Sequence, residues 1–192
     1  MKLRLETERL LIRQFQHSDL EAFLSYRNDR DVARYQSWDV PYPRETAIEF
    51  VEKMSTAILS HSDWLQMAIE LKSAGVLIGD VAFFIRREDE RQAMIGYSLA
   101  RSFWGNGYAS EAVSCLLGYL FGEMNLHRVS AECDVENVSS WRLLEKLGFR
   151  REAHLVENIF FKGAYGSEYQ YAMLLREWQQ RDLSDSADAG NN

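Results

Sequence analysis

The 192-residue chain has only two cysteines, Cys115 and Cys133. They cannot build a disulfide framework, and neither lies in a C-x-x-C or Cys/His cluster of metal-ligand spacing, so two reduced core thiols are expected. The histidines, His17, His61, His127 and His154, are scattered without ligand spacing, which leaves no motif for a metal. Long apolar runs are missing as well. No stretch approaches the roughly 18 residues of a membrane helix, and Met1-Lys2-Leu3-Arg4-Leu5-Glu6 alternates charge with leucine where a signal peptide would need an apolar core. A soluble cytoplasmic protein is the expectation. Basic charge is in deficit: 22 Lys and Arg against 29 Asp and Glu leave a net charge of −7, opposite to the basic face that a nucleic-acid binder needs.

What remains is an ordinary globular mixture, 46% hydrophobic and 27% charged, which supports a packed core. The length fits one domain, expected over residues 1–183, followed by a small polar tail, 184–192, expected to fray.

Along the chain, Leu3 to Phe15 predicts an opening strand. Ser18-Asp19-Leu20-Glu21 is an S-x-x-E capping box that should start a helix running to about Asn28. Val32 to Tyr42 carries Tyr35, Trp38 and Tyr42 without a clear period and predicts a loop. Pro43, one of two prolines, suits a first helical position, and Ala47, Ile48, Val51 and Met54 then recur at helical spacing. Three apolar runs, Trp64 to Leu71, Val76 to Ile85 and Met94 to Leu99, broken by turn residues, predict an antiparallel meander. Ala109, Ala112, Val113, Leu116, Leu117, Leu120 and Phe121 form one helical stripe. Then follow a strand at Arg128 to Asp134, a helix from Asn137 to Leu147 closed by Gly148-Phe149, and a hairpin of Arg151 to Phe161 with Tyr169 to Leu175 across Lys162 to Ser167.

Two junctions carry chemistry. The first runs from Leu99 through Trp104-Gly105-Asn106-Gly107-Tyr108-Ala109-Ser110 into the striped helix. A strand that ends in a Gly-bearing loop before a helix exposes unpaired N–H groups at the positive end of the helix dipole, which is a natural diphosphate cradle. An ordinary strand-to-helix turn would use the same glycines. The loop is not a Walker A loop, because G-x-x-x-x-G-K-[ST] is absent. In the second junction, Asn137-Val138-Ser139-Ser140, Asn137 is expected to cap the helix that follows a strand.

The two junctions, in this order with a helix and a strand between them, resemble the GNAT superfamily of acetyl-CoA-dependent N-acetyltransferases. Glu6-Thr7-Glu8-Arg9-Leu10-Leu11-Ile12-Arg13, Ile95-Gly96-Tyr97-Ser98-Leu99 and Leu147-Gly148-Phe149 are similar to the branch that includes the ribosomal-protein alanine N-acetyltransferases. The resemblance covers Thr7 to about Trp178. It implies an α+β fold: a mixed, mostly antiparallel twisted sheet of six to seven strands flanked by helices, in which the parallel strands Met94–Leu99 and Arg128–Asp134 splay apart to hold the cofactor.

It further implies that the pantetheine arm of acetyl-CoA pairs near Leu99, Ala100 and Arg101. The phosphates would lie on Gly105, Asn106, Gly107, Tyr108, Ala109 and Ser110, and Asn137 and Ser140 would match the family's N-x-x-S. The chain departs from the family where Trp104 occupies a Gln/Arg position, where Leu144 stands in place of a frequent Tyr, and where Met94 stands in place of a frequent Glu. Ser140 is then the candidate proton donor to the leaving thiolate. Glu157, offset by two residues from the place of a carboxylate in the ribosomal-protein enzymes, is the candidate base, because an offset of two keeps a strand's face. Tyr35 and Trp38 are candidate acceptor-binding residues.

Direct transfer in a ternary complex is expected, since no Cys/His pair stands out. The negative charge favours a cationic amine acceptor: a protein N-terminus, a polyamine or an aminoglycoside. A non-catalytic acyl-CoA-binding module is the alternative of another class. The resemblance also suggests a homodimer.

Overall fold

The computed structural model describes residues 3–59 and 63–181, so the expected tail at 184–192 lies outside the described residues. The predicted opening strand is folded in two. Thr7 turns the chain by donating its N–H to the Leu10 carbonyl (3.0 Å) and accepting the Leu10 N–H on its hydroxyl (2.9 Å). The result is β1 (Leu5–Glu6) against β2 (Leu10–Arg13). The added strand makes the sheet eight strands rather than six to seven.

The first helix, α1 (Leu20–Arg27), follows a short 3₁₀ turn at His17–Asp19. The cap is not the predicted Ser18/Glu21 pair. Asp19, buried and held by Arg13 at 2.7 and 2.8 Å, accepts the Gln16 N–H at 2.7 Å instead. The buried arginine on β2 thereby draws the carboxylate inward. The first two residues of the expected Val32–Tyr42 loop instead finish one helical turn, α2 (Arg30–Ala33), capped by the Asp29 side chain. α3 (Arg44–Thr56) starts one residue later than predicted, with Pro43 still extended at ψ 141°.

The meander is as expected: β3 (Leu65–Leu71), β4 (Val76–Ile85) and β5 (Gln92–Leu99) pair antiparallel. α4 (Tyr108–Gly118) runs into a π turn at Tyr119–Glu123, and β6 (Arg128–Asp134) and α5 (Val138–Lys146) follow. The closing hairpin, β7 (Arg150–Phe161) and β8 (Ala164–Leu174), is longer than predicted. Lys162 and Gly163, at φ 49° and 89°, make a two-residue turn that lets pairing reach Phe161↔Ala164. Residues 175–181 are helical.

Strand order is β1-β2-β3-β4-β5-β6-β8-β7. Alternation along each strand divides the core into two layers. Ile12, Met67, Ile69, Phe83 and Ile95 pack with Leu116, Leu117, Phe121 and Leu144 of α4 and its neighbours on one face. Ala68 and Leu77 pack with Phe23, Tyr26, Val51 and Met54 of α1 and α3 on the other.

All neighbouring strands pair antiparallel except β5 and β6. These two are parallel and share rungs only at Gln92–Met94 with Arg128–Ser130. Beyond Met94 they separate. The fork so formed positions everything that follows.

Candidate active site

Hydrogen bonding between β4 and β5 decides what the fork offers. Arg86 donates to the Gln92 carbonyl and Ala100 to the Ile78 carbonyl, so even-numbered residues of β5 form the bonded pairs with β4. By antiparallel alternation, the backbone N–H and C=O groups of Ile95, Tyr97 and Leu99 point away from β4, into the gap left by β6. A cleft of about 650 Å³ opens there, walled by Ile95–Leu99, by Ala131–Asp134 and by the start of α4. An open strand edge inside a cleft is suited to an extended amide-bearing chain.

The floor of the cleft is the loop into α4. Gly107, at φ 80°, is the residue before the helix, and no side chain caps this end. The first-turn N–H groups of Tyr108, Ala109 and Ser110 have no carbonyl one turn back to bond, and all three residues line the cleft. Behind the loop stands Arg9 of the opening hairpin. It is ion-paired with Glu111 and donates to the Asn106 carbonyl at 3.1 Å, with its guanidinium 4.5 Å from the Tyr108 ring. Trp104 folds back so that its indole N–H donates to the Leu99 carbonyl at 2.7 Å, tying the last residue of β5 to the loop.

The opposite wall is α5. Asn137 caps it as predicted, its carboxamide oxygen accepting from the Ser140 N–H (3.3 Å) and the Ser139 hydroxyl (3.0 Å). This fixes the first turn and aims Ser140 at the fork. The Ser140 hydroxyl lies 2.9 Å from the Tyr97 phenol, which also donates to the Ser140 carbonyl at 3.3 Å. Burial pushes the Tyr97 phenol far above its ordinary pKa, so it remains a proton-bearing group. Burial also raises the Cys133 thiol, to about 11, despite a hydrogen bond with Ser140. Arg142 and Lys146, one turn apart on α5, put two cations on the same wall.

Of the residues singled out in the sequence, Leu99, Gly105, Gly107, Tyr108, Ala109, Ser110, Asn137, Ser140 and Tyr35 all line this one cleft. Tyr35 reaches across to donate its phenol to the Glu136 carbonyl at 3.2 Å. Five others do not line it.

Ala100 and Arg101 turn to a separate, smaller pocket beside Tyr26. The Ala100 N–H is spent on Ile78, and Arg101 is ion-paired with Asp31. Asn106 closes its own loop, its amide donating to the Phe103 and Trp104 carbonyls. Trp38 is not a free lid: its ring stacks on the buried Arg27 guanidinium at 3.6 Å, and its indole N–H donates to the Arg27 carbonyl. Glu157 is exposed and sits away from the cleft at φ 48°, where β7 loses register with β8 between Leu155 and Ile159. The face-keeping argument fails at that bulge, because an irregular strand no longer alternates.

Tyr97, Cys133 and Glu132 also line the cleft, and the sequence alone does not single them out as site residues. Period-two alternation on β5 and β6 groups Tyr97 with Ile95 and Leu99, and Cys133 with Ala131, but does not tell which face opens. Among the described residues, no group of three or more His, Cys, Asp or Glu is placed to hold a metal ion, and no helix is long and apolar enough to cross a membrane.

The acetyltransferase (GNAT) domain family matches residues 9–150. The uncharacterised N-acetyltransferase YnaD of Bacillus subtilis strain 168 is 35% identical over 176 residues, 92% of this chain and 99% of its own. The spermidine N(1)-acetyltransferase of Vibrio cholerae is 29% identical over 156 residues, 81% of this chain and 87% of its own. Among solved structures, a GNAT-family acetyltransferase from Bacillus anthracis superposes with a TM-score of 0.82 at 34% identity, covering 91% of this chain and 99% of that one.

Proposed function

This chain belongs to the GNAT family of acetyltransferases, and we propose that it moves the acetyl group of acetyl-CoA to a primary, cationic amine by direct transfer in a ternary complex. The single observation that carries the reading is the fork. One cleft joins an open strand edge at Ile95, Tyr97 and Leu99, an uncapped helix start at Tyr108–Ser110, and the Tyr97–Ser140 hydroxyl pair.

These features fit acetyl-CoA by its own chemistry. The strand edge suits the amides of the pantetheine arm, and the α4 start with Gly105 and Gly107 suits the diphosphate. Arg142 and Lys146 add positive charge on the facing wall. When bound, acetyl-CoA supplies an activated acyl carbon with a thiolate leaving group. Leu99 keeps an N–H for pairing, while its carbonyl already accepts from Trp104. Ser140, positioned by Asn137 and backed by Tyr97, gives a proton to the departing sulfur. Holding both partners in one cleft supplies much of the remaining acceleration.

Direct transfer is supported by the state of the thiols. Cys133 is the thiol that lines the cleft, and with a pKa of about 11 it is protonated at neutral pH, whereas the thiolate is the nucleophile. A cationic acceptor is supported by the carboxylates Asp31, Glu132 and Asp134 along the cleft. The relative that acetylates spermidine makes a polyamine a reasonable first acceptor to test, beside basic peptides starting with Ala or Ser.

The test is thiol release from acetyl-CoA with the purified protein, screened against spermidine, Ala- and Ser-starting basic peptides, aminoglycosides and free amino acids. Turnover with a cationic amine is expected. Acetyl-CoA binding without turnover on any amine would mark a non-catalytic acyl-CoA-binding module instead.

A further inference from the structure

We propose that Glu132 receives the ammonium of the acceptor and takes its proton, from the side of the sheet opposite Ser140. This rests on the amine-acetyltransferase reading above. Alternation along β6 sends Val129, Ala131 and Cys133 into the layer shared with α4 and α5. Ser130, Glu132 and Asp134 therefore face the other side. The last rung of the fork pairs Met94 with Ser130. Two residues further along, Glu132 comes level with Gly96, where β5 bears no side chain and leaves room between the strands. Trp64 flanks that opening, its ring 3.7 Å from where a Gly96 Cβ would stand.

Three carboxylates line the cleft, and their partners separate them. Asp31 is ion-paired with Arg101, and Asp134 accepts the Glu136 N–H at 2.7 Å. Glu132 is exposed and held only through one oxygen, by the Gln170 amide at 3.0 Å. Its second oxygen has no hydrogen-bond partner among the described residues. An oriented carboxylate without a cation, facing a cleft, is suited to bind an ammonium. Glu132 also supplies from β6 the carboxylate that Met94 does not supply from β5, on the same face of the sheet.

The protons balance as follows. The ammonium gives one proton to Glu132, which passes it to solvent. The freed nitrogen lone pair forms the C–N bond as the C–S bond breaks. The sulfur takes its proton from the Ser140–Tyr97 pair, and the second proton shed by nitrogen restores that pair through solvent. One acetyl group moves and one proton is released.

The experiment compares wild type, E132Q, E132D and E132A on whichever of spermidine or the Ala- and Ser-starting peptides the wild type acetylates, and measures acetyl-CoA affinity and thermal midpoint for each. E132Q is expected to lower kcat/KM for the amine about a hundredfold, the lower end of general-base effects, with acetyl-CoA affinity and midpoint unchanged. E132D should recover part of the loss. Formate should restore activity to E132A where chloride at equal ionic strength does not, a rescue that a structural role would not produce.

An E132Q enzyme within about threefold of wild type, or one whose loss follows acetyl-CoA affinity, overturns the assignment while leaving acetyl transfer intact. A wild type that acetylates none of the amines removes the underlying reading, and the assignment falls with it.

Discussion

The Tyr97 phenol lies 2.9 Å from the Ser140 hydroxyl, joining the edge of β5 to the first turn of α5 across the fork. Neither group is charged at neutral pH. As a pair they form a proton-bearing unit beside the position expected for the leaving sulfur. Because a thiol with a reference pKa of roughly 8.5 already leaves well, the pair is worth less than a general acid acting on a poor leaving group. S140A should lower kcat by about a hundredfold or less, with acetyl-CoA affinity kept, and Y97F by a smaller factor. The double variant should lose less than the product of the two, since both act on one proton. Steady-state kinetics beside titration with CoA separates these terms.

The close approach of β4 to β5 should be intolerant of any side chain at Gly79. A Cβ there would stand 2.3 Å from the Ser98 carbonyl oxygen, a backbone atom that cannot turn aside. G79A is expected to lose about 3 kcal/mol or more, or to fail to fold. G107A, at φ 80° and with its new Cβ 3.5 Å from Arg9, should lose about 1 kcal/mol and also weaken CoA binding. Chemical denaturation of each variant measures the difference.

Trp38 should behave as part of the core and not as a lid. Arg27 is buried, with its Nε lacking a hydrogen-bond partner; the buried Asp80 carboxylate at 3.6 Å pairs its charge, and aromatic faces pack on it: Trp38 at 3.6 Å, Phe23 at 4.7 Å and Phe50 at 5.4 Å. W38A removes the nearest face and is expected to cost about 2 kcal/mol. A thermal midpoint equal to wild type, with a raised acceptor KM, would return Trp38 to the acceptor site.

Glu157 is exposed within the bulge in β7. E157Q should leave kcat/KM within about twofold and stability within about 0.5 kcal/mol. A loss on the scale expected for E132Q would mean that β7 rearranges when the acceptor binds.

Acid sensitivity should centre on Glu152. Arg128 above all, with Arg150, holds its carboxyl down to about 2 from an ordinary 4.5. A carboxyl whose folded pKa is depressed contributes stability above its unfolded value and loses that contribution as pH falls through the folded one. The stability difference between wild type and E152Q should therefore be full above about pH 5 and vanish near pH 2. Denaturation midpoints across that range test the sign.

The sequence by itself determined the order of the main strands and helices, the two junctions and the glycine-bearing loop before α4. These rest on local periods, capping residues and glycines, which act over a few residues and need no distant partner. It could not see that Thr7 breaks the opening strand, because that turn is stabilised by Leu10 and by the pairing of β2 with β3. Nor could it decide which face of β6 opens. Cys133 and Glu132 are neighbours in the chain that alternation sends to opposite faces of the sheet, and both reach the cleft because β5 and β6 part after Met94 and Ser130. Glu157 lies outside the cleft for a related reason: an offset along a strand keeps its face only while the pairing stays regular, and regular pairing is a property of two strands together.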